Sequence, residues 1–198
     1  MIVLDKSKLE DLKKIEKVME NKTYEEDLIY YGVGTQARIY VTDDWEYVIK
    51  LYHQEEDIEE IEEINESNHF DDSIVYICNP EEFYQQEVEA LKVLNEAGCS
   101  FVPTLYGYKE GRYIVKEFVS GSEYDEYCAL NHLFFDEDEG FSKEEDEFLA
   151  QYNEQMNEFK SICDKLNIIP IDCAYDGNVI INDEREIRII DLGSFEMK

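Results

Sequence analysis

The sequence predicts an α+β fold built on an antiparallel sheet, and three observations carry that prediction. Three short segments rich in Tyr, Ile and Val follow one another from Leu28 with tight turns between them, as in a run of adjacent antiparallel strands. One long amphipathic segment runs from Asn79 to Glu96, with a proline near its start and a glycine just past its end, the start and stop signals of a helix. Near the end of the chain two apolar runs, Val179-Ile180-Ile181 and Ile187 to Ile190, flank a charged turn and read as a hairpin.

Each element has its own reason. Ser7 to Lys22 reads as an amphipathic helix, because Leu9, Leu12, Ile15, Val18 and Met19 fall on one stripe. Ser7 is the expected N-cap there, with Glu10 completing a capping box. Strands are expected at Leu28–Tyr31, Ala37–Thr42 and Tyr47–Tyr52, with turns at Gly32-Val33-Gly34-Thr35 and at Asp43-Asp44. Residues 53–79 form an acidic insertion. Its Glu55 to Glu66 stretch carries Ile58, Ile61 and Ile64 at three-residue spacing, a solvated helix with a narrow apolar stripe. In the helix that follows, Phe83, Val88, Leu91 and Leu94 supply the apolar face and Gly98 the stop. Two more strands are expected at Leu105–Tyr108 and Tyr113–Phe118, around Glu110-Gly111. Ser120-Gly121-Ser122 reads as a hinge or linker. A second acidic patch, Asp136 to Glu147, precedes a helix from about Glu147 to Leu166.

Composition narrows the function. The chain has 198 residues, is 43% hydrophobic and 13% aromatic, and so should fold around a real core. Its 49 acidic and 18 basic residues give a formal net charge of −31. A field of that sign repels nucleic acid and anionic membrane, and is read as plain solubility, a basic protein partner or a high-salt setting. The five cysteines show no CxxC spacing and the three histidines no HExxH, which argues against zinc and for a reducing compartment. With no basic-then-apolar leader and no long apolar run, the expectation is a cytoplasmic protein.

The chemistry concentrates in a few residues. Asn178 and Asp191 flank the terminal hairpin, so a carboxylate and an amide oxygen would meet at one mouth, a hard-oxygen pair suited to magnesium. Lys50 ends an apolar strand and needs a partner if buried, and Glu87 on the striped helix is the natural candidate. Gly32-x-Gly34 lies between strands, which disfavours a dinucleotide fold and suits a hairpin lying over phosphates.

Taken together, these residues resemble a protein kinase. Tyr31-Gly32-Val33-Gly34-Thr35-Gln36-Ala37-Arg38-Ile39 resembles the glycine-rich loop, with Ala37 in place of the third glycine. Val48-Ile49-Lys50 is similar to the lysine motif of the third strand, and Glu87 fits the partner glutamate. Tyr113 to Gly121 resembles the strand entering the hinge, which makes Lys116 the gatekeeper and sets Glu117 C=O and Val119 N–H toward adenine. Asp172, Asn178 and Asp191-Leu192-Gly193 are similar to the catalytic Asp, the metal-binding Asn and the DFG motif. Five residues separate Asp172 from Asn178, one more than in kinases, so Asp176 is the other acid in reach.

The resemblance implies a two-lobe fold. It sets a helical extension at 1–27, an N-lobe at 28–119 with a five-stranded antiparallel sheet and one key helix, and a much reduced C-lobe at 120–198. It implies ATP and magnesium, with Asp172, Lys50 and Glu87 catalytic. Gly32, Gly34, Ile39, Val48, Lys50, Glu117 and Val119 would hold the nucleotide, and Asn178 and Asp191 the metal. The expected activity is transfer of a phosphoryl group to a protein, a small molecule or the chain itself. The alternative is a pseudokinase-like binding module whose acidic surface engages a basic protein.

Overall fold

The structure is a computed structural model that describes residues 1–34, 36–54, 80–131, 133, 142–171, 173, 176–193 and 195–197. The expected acidic helix at Glu55–Glu66 and the first half of the second acidic patch, residues 136–141, lie outside the described residues. The fold is α+β with mostly antiparallel sheet. The chain divides into two compact units: residues 1–88 with 104–118, and residues 89–103 with 119–198.

The first unit is built on a sheet of six strands, not five: β1 (Ile2–Val3), β2 (Ile29–Val33), β3 (Ala37–Val41), β4 (Tyr47–Tyr52), β5 (Leu105–Lys109) and β6 (Tyr113–Glu117). The spatial order is β1-β5-β6-β4-β3-β2, with every pair antiparallel. The sixth strand comes from the extreme N-terminus, where Ile2 pairs with Tyr108 and Val3 with Gly107. Gly107 makes that possible: a Cβ there would stand 2.8 Å from the Ile2 carbonyl oxygen. Two residues are too few to show a period-2 pattern, so the strand is invisible to periodicity.

Helix α1 (Leu9–Asn21) follows, and its Leu12, Ile15 and Met19 are buried. They pack with Tyr40, Tyr47, Ile49, Tyr113 and Val115 into the core of this unit. Full burial of a side chain of this size contributes roughly 2 kcal/mol. The N-terminal cap differs from expectation. Helix α1 starts after Lys8 with no side-chain cap of its own, and Asp5 caps the 3-10 turn at Lys6–Lys8 that leads into it, its Oδ1 accepting from Ser7 N at 2.8 Å. The Ser7 hydroxyl donates to the same Asp5 Oδ1 at 2.7 Å, so it is spent on that turn and not on α1. A short helix, α2 (Tyr24–Asp27), leads into β2.

Helix α3 (Pro80–Glu96) buries Tyr84, Val88, Leu91 and Leu94, and ends where Gly98 takes φ +70°. Its first half belongs to the first unit and its second half to the second.

The second unit contains β7 (Ser122–Glu123), α4 (Tyr124–Leu130), α5 (Lys143–Lys165), β8 (Ile168–Pro170), β9 (Val179–Ile181), β10 (Ile187–Ile189) and β11 (Phe195–Met197). Helix α5 begins four residues before the expected Glu147, because Ser142 and Glu145 form a reciprocal capping box. Its Phe159 lies 6.0 Å from Phe101 and 6.1 Å from Phe195, ring centre to ring centre. Strands β10, β9 and β7 make one sheet, and β11 pairs with β8 in another. Gly121 is not a loose hinge. It holds φ +144°, and a Cβ would meet the Ile181 carbonyl oxygen at 2.5 Å. Glycine is required there because β7 runs hard against β9. Among the described residues no helix is long and apolar enough to cross a membrane.

Candidate active site

Strand β4 alternates. Ile49 enters the apolar core with α1, while its neighbours Lys50 and Tyr52 face the other way, toward α3. Strand β6 adds Lys116 to that second face. Lys50 is registered with Ile114 and Val48 with Lys116, so the two lysines are diagonal neighbours on adjacent strands. Glu87 of α3 meets both. Its Oε2 accepts from Lys50 Nζ at 2.7 Å and from the Tyr52 hydroxyl at 2.5 Å, and its Oε1 accepts from Lys116 Nζ at 2.6 Å. Glu87 is fully buried, and each lysine is 5% exposed.

The physical logic is mutual. A carboxylate with no exposure is tolerated only when its lone pairs are taken by charged or strong donors. Here two ammonium groups and a phenol take them. Lys50 also lies 5.4 Å from the centre of the Tyr52 ring, a cation–π distance. Tyr52 is braced in turn by Tyr84, with ring centres 5.3 Å apart and planes perpendicular. Burial pushes the Tyr84 hydroxyl up to about 12.

The glycine turn belongs to the same unit. Gly32 lies in β2 beside a bulge, and Gly34 N donates to Ala37 O at 2.9 Å to close the hairpin with β3. His53, 4% exposed, locks this turn from beneath: its Nε2 donates to Gly34 O at 3.0 Å and its backbone N to Gln36 O at 3.0 Å. Neither glycine has a positive φ. A Cβ on Gly32 would touch nothing within 4 Å, and one on Gly34 would meet only Ala37 O at 3.9 Å. Nothing inside the described chain requires these two residues to be glycine.

Ile39 pairs with Lys50 and Val48 with Lys116, so both half-buried apolar side chains share the lysines' face. Glu117 ends β6. Its backbone N donates to Thr104 O at 2.9 Å, and its Oε2 accepts from Thr104 N at 2.9 Å and Oγ1 at 3.1 Å. Val119 begins the second of the two segments of the second unit and is half-buried.

In the second unit, β9 and β10 pair Val179 with Ile189. Ile190 N then donates to Asn178 O at 2.9 Å, which carries the ladder one step further. Asn178 and Asp191 therefore sit at the same end of adjacent strands. Asp191 Oδ1 accepts from Gly193 N at 3.0 Å, an Asx turn that fixes the carboxylate. Among the described residues no group of three His, Cys, Asp or Glu converges as a cage for a metal. An amide oxygen and one carboxylate do fit magnesium of the kind bound mainly through a substrate's phosphates, which needs only one or two protein carboxylates. Asp172 lies outside the described residues, as does the side chain of Asp176.

Sequence reasoning paired Lys50 with Glu87 but missed that Lys116 and Tyr52 reach the same carboxylate. Alternation in β4 puts Lys50 and Tyr52 on one face, and it takes the register of β4 against β6 to bring Lys116 to them. It also missed His53. No family model matches this chain, and no curated protein matches it.

Proposed function

We propose that this chain is a protein-kinase-like phosphotransferase that moves the γ-phosphoryl group of ATP to a hydroxyl acceptor. The observation that supports it most is the buried carboxylate of Glu87, held between Lys50 and Lys116. Buried charge contributes little to stability and is common where charge is needed for binding or chemistry. An ammonium fixed by a rigid carboxylate is a preorganised partner for phosphate oxygens.

In this reading Lys50 holds the α- and β-phosphates, and the Gly32–Gly34 hairpin lets backbone N–H groups approach the triphosphate. Ile39 and Val48 offer apolar surface to the base, and the backbone of Glu117 and Val119 its hydrogen bonds. Asn178 and Asp191 would hold magnesium, which neutralises charge on the phosphates. The acceptor hydroxyl forms the new O–P bond as the bond to ADP breaks, and its proton passes to a carboxylate, assigned to Asp172. Positioning and charge supply the acceleration.

The second reading, a pseudokinase-like module that binds nucleotide or a basic protein without transfer, is favoured by Lys116. It divides the Glu87 carboxylate that a kinase lysine would have to itself. Thermal unfolding with and without Mg-ATP, together with a phosphate-transfer assay, separates the two. A raised melting temperature with transfer supports the first. A raised temperature without transfer supports the second, and no rise at millimolar nucleotide rejects the first and leaves of the second only a module that binds a basic protein.

A further inference from the structure

We propose that an aromatic corner on the first unit, formed by Tyr31, Trp45 and Phe118, takes a lysine or arginine side chain of a basic protein. The three rings stand nearly perpendicular to one another: 81° between Tyr31 and Trp45, 82° between Tyr31 and Phe118, and 71° between Trp45 and Phe118. Their centres lie 6.2, 6.3 and 5.1 Å apart, in the same order. One cation can therefore lie within about 6 Å of all three at once, the reach of a cation–π contact. Tyr31 is 61% exposed and Trp45 45%, and Phe118 is half-buried.

Two departures from ordinary backbone aim the rings. Tyr31 is the extra residue of the bulge in β2: Tyr30 is registered with Tyr40 and Gly32 with Ile39, which leaves Tyr31 no partner on β3. Tyr30 stays on Tyr40, ring centres 5.7 Å apart, while Tyr31 turns to Trp45 and Phe118. Bulges re-aim side chains in this way. Trp45 takes φ 57°, a conformation that a bulky residue keeps only where its surroundings impose it. They do so here. Trp45 N donates to Thr42 O at 2.9 Å, Asp44 Oδ1 accepts from Thr42 Oγ1 at 2.6 Å and from Glu46 N at 3.0 Å, and Phe118 N donates to Glu46 O at 3.1 Å. A strained tryptophan left so exposed adds little to the core and is better explained by what it meets outside.

The charge around the corner selects the occupant. Asp43 and Asp44 precede Trp45 and are exposed, as are Glu25, Glu26 and Asp27 just ahead of β2. Glu46 is engaged by Lys8. Among the described residues the cation–π contacts of Lys8 and Lys50 fall on Tyr47, Tyr106 and Tyr52, and none falls on these three rings. An open aromatic corner in a negative field favours a cation. A second copy of a chain of net charge −31 is opposed by like charge. The acids come from two segments, more than one small cation can meet, so the cation belongs to a basic protein. The inference shares with the pseudokinase reading only its basic partner: it rests on other residues, and its test uses no nucleotide.

Trp45 is the one tryptophan of the chain, so its fluorescence reads the site. Blocked nonapeptides carrying three lysines or three arginines among alanines are titrated at constant ionic strength, by fluorescence and calorimetry, with a norleucine peptide as the neutral control. Saturable binding of a cationic peptide with a changed Trp45 emission is expected, and no binding of the norleucine peptide. Trp45→Gly removes the left-handed strain, so it should melt no lower than the parent while weakening the Kd at least about tenfold. Tyr31→Ala should weaken it about threefold at an unchanged melting temperature. Should Trp45→Gly melt lower or fail to fold, Tyr31→Ala decides. The proposal is overturned if no cationic peptide saturates, if the norleucine peptide binds as tightly, if the emission stays unchanged on binding, or if binding is indifferent to the ring variants. Self-association that Trp45→Gly abolishes would assign the corner to a second copy and overturn it too.

Discussion

Strand β4 sends Tyr47 and Ile49 to one face of its sheet and Lys50 and Tyr52 to the other, and the two faces are buried by different means. On the first, α1 covers tyrosines and aliphatic side chains, and burial itself is favourable. On the second, α3 covers two lysines and a glutamate, where burial is unfavourable until each charge finds its partner. The same strands thus carry a face that stabilises and a face that is only tolerated. A charged face kept at that cost is better explained by what it binds than by what it holds together.

The largest expected effect falls on the tolerated face. Glu87→Ala leaves two buried ammonium groups without their shared carboxylate and should cost about 3–5 kcal/mol, read as a drop in urea midpoint at unchanged m-value. On the other face Leu12→Ala opens a cavity under α1 and should cost about 3 kcal/mol, while leaving any Mg-ATP affinity of the folded protein intact. A loss of nucleotide binding in that variant would break the division between the faces.

Tyrosines on both faces give a pH test. Burial pushes Tyr47, on the α1 face, and Tyr84, on the α3 face, up to about 12. An unfolded tyrosine loses its proton near pH 10, so between about pH 10 and 12 the unfolded chain binds fewer protons than the native one. Stability is fully present below that window and falls as pH rises through it. Urea midpoints measured across it should decline, and Tyr84→Phe should lessen the decline. The smallest effect lies in the second unit: Ser142→Ala removes one half of the capping box on α5 and should cost about 1 kcal/mol, with no change in Mg-ATP binding.

The sequence made the large elements legible and the small ones not. The apolar stripes of α1 and α3 and the alternation of β3, β4 and β6 are long enough to declare themselves. Strands β1, β7, β8 and β11 are two or three residues each, shorter than one clear period, and exist only through their partners. Gly121 looked like a linker because a glycine needed for close approach and one needed for flexibility read alike. At the site, the need of Lys50 for a partner was legible from its apolar neighbours. That Lys116 joins it required knowing the register of β4 against β6, which no local pattern encodes. The capping box at Ser142 was written in the sequence, yet the acidic run around it masked the signal.

The central claim is that the charged face exists for binding. The most direct test replaces it whole: Lys50→Met/Glu87→Leu/Lys116→Met keeps volume while removing all three charges. Such replacements of buried ion clusters are commonly neutral or stabilising. The account predicts a variant that unfolds at or above the parent's urea midpoint but shows no heat of Mg-ATP binding in calorimetry, where the parent binds. A variant that folds and still binds Mg-ATP with the parent's affinity would contradict it.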